Sequence, residues 1–169
     1  MAPAPAPRSE LTQIMDTTMA NMMAVPACNS VDRTFTSMMI VHHQGAVRMA
    51  QWASDGTDSS MTHGDSASMG MGGNMAGMAP AAESPGEAAM MNSDAMMMAM
   101  PPSAYSPNVN IAYATQMRAH HQAAIDMAKV DLQYGSNAQL LTLAREIIAS
   151  QDEQVQQFSD YLAEYPSTQ

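Results

Sequence analysis

The sequence is short of several things at once. One cysteine, Cys28, stands among 169 residues, so no intrachain disulfide forms and no Cys-based zinc or iron–sulfur site can be built. Six basic residues face 16 acidic ones, for a net charge of −10. That balance excludes nucleic acid as a partner, since nothing would neutralise a run of phosphates. No apolar run approaches the ~18 residues of a membrane span. The Ala-Pro alternation of Met1–Pro7 has neither the basic start nor the apolar stretch of a signal peptide. Residues 1–8 read instead as the extended front of an exported, periplasmic chain whose signal peptide has been removed. No nucleophile–base pair and no paired-carboxylate constellation is visible, so an enzyme is not expected.

What the chain has in excess is methionine, 21 residues, alongside five His. Residues 56–107 contain no Leu, Ile, Val, Phe or Trp, yet hold 11 Met, seven of the nine Gly and five Pro. Such a segment has too little aliphatic surface to offset the entropy of ordering it. It reads as a flexible Met-rich insertion, with a short helix near 88–99 and no regular structure around Met69–Met78. A Gly/Ser linker needs no oxidisable Met, so the insertion suits a low-affinity capture surface for a soft metal.

Elsewhere the apolar period is helical. Ser9 caps a first helix with Leu11, Ile14, Met15, Thr18, Met19 and Met22 on one face, ending before Pro26. Core packing is the plainer role for Met15, Met19, Met22 and Met23. A second helix runs from near Ser30 to Gly56. A third opens after Pro107 with Asn108 as cap and stops at Gly135. The fourth opens on Ser136-Asn137-Ala138-Gln139, a capping-box pattern, and stops at Pro166. The expectation is an all-α four-helix bundle. A first hairpin (9–55) and a second (108–165) pack as one domain around the insertion.

Sliding the chain by 78 residues lays Phe35–Ala50 over Tyr113–Ala128. Seven of sixteen positions are identical: Met39/Met117, His42/His120, His43/His121, Gln44/Gln122, Ala46/Ala124, Met49/Met127 and Ala50/Ala128. On a helical wheel Ile111, Ala114, Met117, His121, Ala124, Ile125, Ala128 and Leu132 share an arc of about 140°. Met117 lies four residues before His121, as Met39 does before His43, so each pair can point at one spot. His42 and His120 fall to the side of the stripe, nearer Met49 and Met127 by angle. Those pairs lie ~10 Å apart along the axis, too far for one ion.

Thioether and imidazole without carboxylate suit Cu(I) or Ag(I), and suit calcium, magnesium or manganese poorly. No Glu precedes either His pair by three residues, which removes a ferritin-type di-iron site. The expected ligands are Met39, His42, His43, Met117, His120 and His121, with Met49 and Met127 as neighbours. His63 is a secondary candidate, and Cys28 reads as an inert thiol.

The pattern Phe-x-x-x-Met-x-x-His-His-x-x-Ala-x-x-Met-Ala resembles a bacterial family of exported, ferritin-like helical domains of unknown function. Tyr113–Leu162 resembles a full unit of it, and Phe35–Trp52 a partial one. The resemblance implies copper binding and export, with copper ions and a copper exporter or another periplasmic copper protein as partners. Two other classes share these features. One is a b-type haem bundle with Met/His ligation; the other is a metal-independent module with an adaptable Met surface.

Overall fold

The computed structural model describes residues 10–26, 28–56, 84–93 and 100–166. Ser9, His63 and most of the expected insertion, Met69–Met78 included, lie outside the described residues. Five helices follow in order: α1 (Glu10–Met23), α2 (Val31–Gly56), α3 (Pro85–Met91), α4 (Val109–Tyr134) and α5 (Ala138–Glu164), with a 3-10 turn at Pro102–Tyr105 before α4. No strand occurs among the described residues. The all-α expectation therefore holds, with four long helices and a short fifth among the described residues.

The caps show why the helices begin where they do. Asn108 Oδ1 accepts from the backbone N–H of Asn110 and Ile111 at 3.0 and 3.3 Å, and Gly135 ends α4 by donating to the Asp131 carbonyl. The cap of α5 is Asn137, not Ser136: its Oδ1 accepts from Gln139 and Leu140. Ser136 is diverted because its N–H and Oγ both donate to Asp32 at the start of α2. That contact places the N-terminus of α2 against the C-terminus of α4, so the two helices run antiparallel.

α2 and α4 form the central pair. α5 packs along α4 more extensively than any other element does and also meets α2, where Leu143 and Ile147 share a groove with Met39 and His43. α1 packs on α2 from the other side, with Thr18 against Gly45. His43 and Gly45 lie about 160° apart around α2, which puts α5 and α1 on opposite faces. A Cβ at Gly45 would collide with Thr18 Cγ2 and Oγ1. Gly45→Ala should therefore cost about 1–3 kcal/mol by overpacking, with part of the loss recovered by Thr18→Gly. Urea unfolding of the single and double variants checks this.

Part of the insertion is better built than its composition suggests. Ser84 caps α3 with Pro85 at the first helical position, and the Glu87 N–H donates to Ser84 Oγ at 3.2 Å. Ser-Pro-Gly-Glu is a capping-box signature, so this helix begins at Pro85 and ends at Met91, and positions 94–99 of the helix expected near 88–99 lie outside the described residues. Met90 and Ala104 are fully buried, and the helix rests on α4 and α2. The segment lacks a core of its own but completes one belonging to its neighbours. Eight of the eighteen residues in the hydrophobic core cluster are Met and five are Ala. Met15, Met22, Met39, Met49, Met117 and Met127 all pack within this cluster, whereas Met23 is exposed.

Two carboxyls meet at the α4–α5 turn. The half-buried Asp32 is pushed up by burial, but hydrogen bonds from the Asn137 N–H, the Ser136 N–H and the Ser136 hydroxyl outweigh this and leave it below the usual range. Asp131 is fully buried, neither oxygen has a partner, and burial together with the charge of Asp32 raises it to about 6. At pH 7 it is therefore ionised in an unfavourable place. Asp131→Asn should stabilise the protein by about 1–2 kcal/mol at pH 7, and the gain should shrink toward pH 5 as the wild-type carboxyl takes up its proton. Thermal unfolding at the two pH values measures both statements.

Candidate metal centre

The repeat places its four imidazoles in one row across the crossing of α2 and α4. Ring centroids are 5.9 Å apart for His43 and His42, 3.4 Å for His42 and His120, and 6.0 Å for His120 and His121. The middle pair is reciprocal. His42 Nε2 donates to the His120 carbonyl at 2.8 Å, and His120 Nε2 donates to the His42 carbonyl at 2.9 Å. A carbonyl only accepts, so both rings carry the Nε2 proton and leave Nδ1 bare. Equivalent residues of a duplicated helix thus meet across a local two-fold axis.

This corrects the expectation that His42 and His120 lie beside the buried stripe: both are 1% exposed. The reason is that α4 is covered by α2, α5 and the 84–105 segment together, so more than half of its 26 residues are buried. A single stripe drawn for one partner underestimates that face. Burial pulls His42 down to about 3, partly opposed by the His120 carbonyl, and His43 and His121 lower it further. His120 is lowered well below the ordinary value by burial first, then by the neighbouring imidazoles. Both are neutral braces of the core. Their rings stack directly, which leaves no slot for a porphyrin between them.

The outer pair differs. His43 is exposed, and its Nδ1 donates to the Met39 carbonyl at 2.8 Å, which turns the Nε2 lone pair outward. It sits with Met39 at a groove of about 270 Å³, which Phe35, Ile40, Leu143 and Ile147 also line. His121 is 8% exposed, and the Phe158 ring meets it edge-on at 5.5 Å. Its Nδ1 is buried without a hydrogen bond. Burial lowers its pKa, against the opposing pull of the Gln154 side chain and the Met117 carbonyl. Both outer rings face α5. The structure therefore brings together Met39 with His43, and Met117 with His121 one turn apart on α4; all four repeat methionines, Met39, Met49, Met117 and Met127, belong to the core.

Among the described residues no three His, Cys, Asp or Glu converge on one point. A metal at this crossing must take thioether sulfur along with imidazole nitrogen. Cys28 is remote from this row in sequence and half-buried in the α1–α2 turn, with its thiol donating to the Pro26 carbonyl at 3.2 Å.

The family described as a domain of unknown function, DUF305, matches residues 2–64 and again 52–162. The chain belongs to the DUF305 family. Each DUF305 match contains one double-His helix, so the repeat found by sliding the sequence against itself corresponds to two copies of one family unit. No curated protein and no solved structure shows a match to the chain. No described helix is long and apolar enough to cross a membrane.

Proposed function

We propose that the protein binds Cu(I), and Ag(I) in its place, through the two His/Met pairs that its repeated helices present toward α5. The observation that carries this reading is the division of labour within the row of imidazoles. His42 and His120 spend Nε2 on holding α2 to α4, whereas His43 keeps Nε2 free beside the Met39 thioether at the edge of an apolar groove. Met39 with His43 and Met117 with His121 are the ligands, and His42 and His120 fix the crossing from which they project. Soft, uncharged thioether sulfur with neutral imidazole favours the monovalent coinage metals over hard divalent ions.

The chain's net charge of −10 draws cations toward its surface. Its double-His helices and Met-rich insertion resemble the cyanobacterial periplasmic copper-binding protein CopM. On that resemblance the protein sequesters or ferries copper in the periplasm, contributes to copper resistance, and exchanges copper with an exporter or another periplasmic protein. No catalytic role is proposed.

Competition with a chromogenic Cu(I) chelator tests the reading. The expected result is withdrawal of Cu(I) from the chelator by the purified protein, with no response to magnesium or calcium. No withdrawal at any protein concentration would leave a metal-independent, Met-rich interaction module as the better account.

A further inference from the structure

On the face of the bundle opposite the imidazole row, α1 and the segment before α4 enclose a small cleft of about 170 Å³. Three methionines line it. Met15 and Met19 project from successive turns of α1, and Met100 reaches in from the chain just ahead of the 3-10 turn. Met15 is 3% exposed, and Met19 and Met100 are half-buried, so the thioethers sit at the boundary between core and solvent. The fourth wall is Gln116 of α4, which is 1% exposed. Its Nε2 donates to the Ala104 carbonyl at 2.7 Å, and its Oε1 is buried without any donor. Asp16 and Tyr105 complete the rim.

A core packed for its own sake fills such a space with carbon and satisfies a buried amide. Here three of the lining side chains are polarizable thioethers, beside Thr12, Asp16, Tyr105 and a Gln116 whose buried carbonyl oxygen has no donor. We propose that Met15, Met19 and Met100 form a second soft-metal site that holds Cu(I) or Ag(I) on thioether sulfur, with the Gln116 carbonyl dipole turned toward the cation. Water takes ~30 Å³ per molecule in the liquid, so the cleft has room for about five and is larger than one bare ion needs. The sulfurs close on the ion by rotamer change, which the three rotatable bonds of Met permit. The three thioethers favour a soft monovalent ion over a hard divalent one. Thioether sulfur has no proton to lose, so binding through the three Met is independent of pH between 5 and 7.5. It shares no residue with the His/Met pairs and does not rest on them.

The test uses the full chain labelled at methionine ε-methyl carbons and titrated with Ag(I). The expected result is that the Met15, Met19 and Met100 methyl resonances shift together over one equivalent, equally at pH 5 and pH 7.5, and do so again in His43→Ala/His121→Ala. Replacing the three by Leu, which keeps volume and fold, should remove one bound Ag(I). The proposal is overturned if these methyls stay still while the imidazoles of the row respond. Silence of both the methyls and the imidazoles would overturn this site and the proposed function together.

Discussion

Lowering the pH from 7 to 5 is expected to reduce the stability of the metal-free protein. His42 and His120 are held neutral in the fold, with His42 at about 3 and His120 well below its ordinary value. In the unfolded chain each titrates near ~6.5, so below that pH the unfolded state binds more protons than the folded one. Their contribution is complete above ~6.5 and is lost as the pH falls toward the folded values. At pH 5 the loss is about 2 kcal/mol for His42, at ~1.4 kcal/mol per unit, and His120 adds to it in the same direction. Asp131 acts in the opposite sense. Its pKa is raised to about 6 in the fold, so it recovers about 1.4 kcal/mol over the same range. Urea unfolding at the two pH values measures the net effect. The double variant His42→Gln/His120→Gln should lose much less than the wild type, because only Asp131 and His121, which act in opposite senses, then remain shifted. A wild type equally stable at pH 5 and 7 would contradict the reciprocal brace.

The second large effect concerns the metal. Replacing His43 and His121 by Ala should weaken the tightest Cu(I) binding by at least tenfold for each imidazole lost, with the helical spectrum unchanged. The exposed His43 contributes little to the core, and His121 lies at its margin, so the fold should survive both changes. Acid competes for any imidazole ligand, with onset near ~6.5 for an ordinary one. At His121 burial shifts that competition to lower pH. The pH profile of tight binding should therefore be broader than that of a single unperturbed His. Chelator competition from pH 7.5 to pH 5 on the wild type and on each single variant separates the two contributions.

Much of the fold was legible because it depends on local chemistry. Asn108, Gly135 and the apolar period of Leu11–Met22 define helix ends and faces without reference to any partner. The cap at Asn137 was misplaced by one residue because Ser136 is claimed by Asp32, more than 100 positions away in sequence. The start of α3 was readable from Ser84-Pro-Gly-Glu, but the surrounding lack of aliphatic residues concealed it. Its stability comes from burying Met90 against α2 and α4. The repeat singled out the four imidazoles, and the structure places them side by side. Their separate roles were not legible, because they follow from which face of α4 is covered and from hydrogen bonds across the α2–α4 crossing. The Met15–Met19–Met100 cleft was missed for the same reason. Met15 and Met19 looked like filler on one helix, and only the return of the chain at residue 100 supplies a third thioether.

The central claim is that the outer imidazoles bind metal while the inner ones brace the core. Long-range ¹H–¹⁵N correlation of the His side chains, recorded with and without Ag(I), tests it most directly. In the metal-free protein His42 and His120 should each show a protonated Nε2 and a bare Nδ1. On adding Ag(I), ring nitrogens of His43 and His121 should shift strongly, while the inner pair keeps its tautomer. If the Nδ1 atoms of His42 and His120 move instead, or if no imidazole nitrogen responds, the assignment of brace and ligand is wrong.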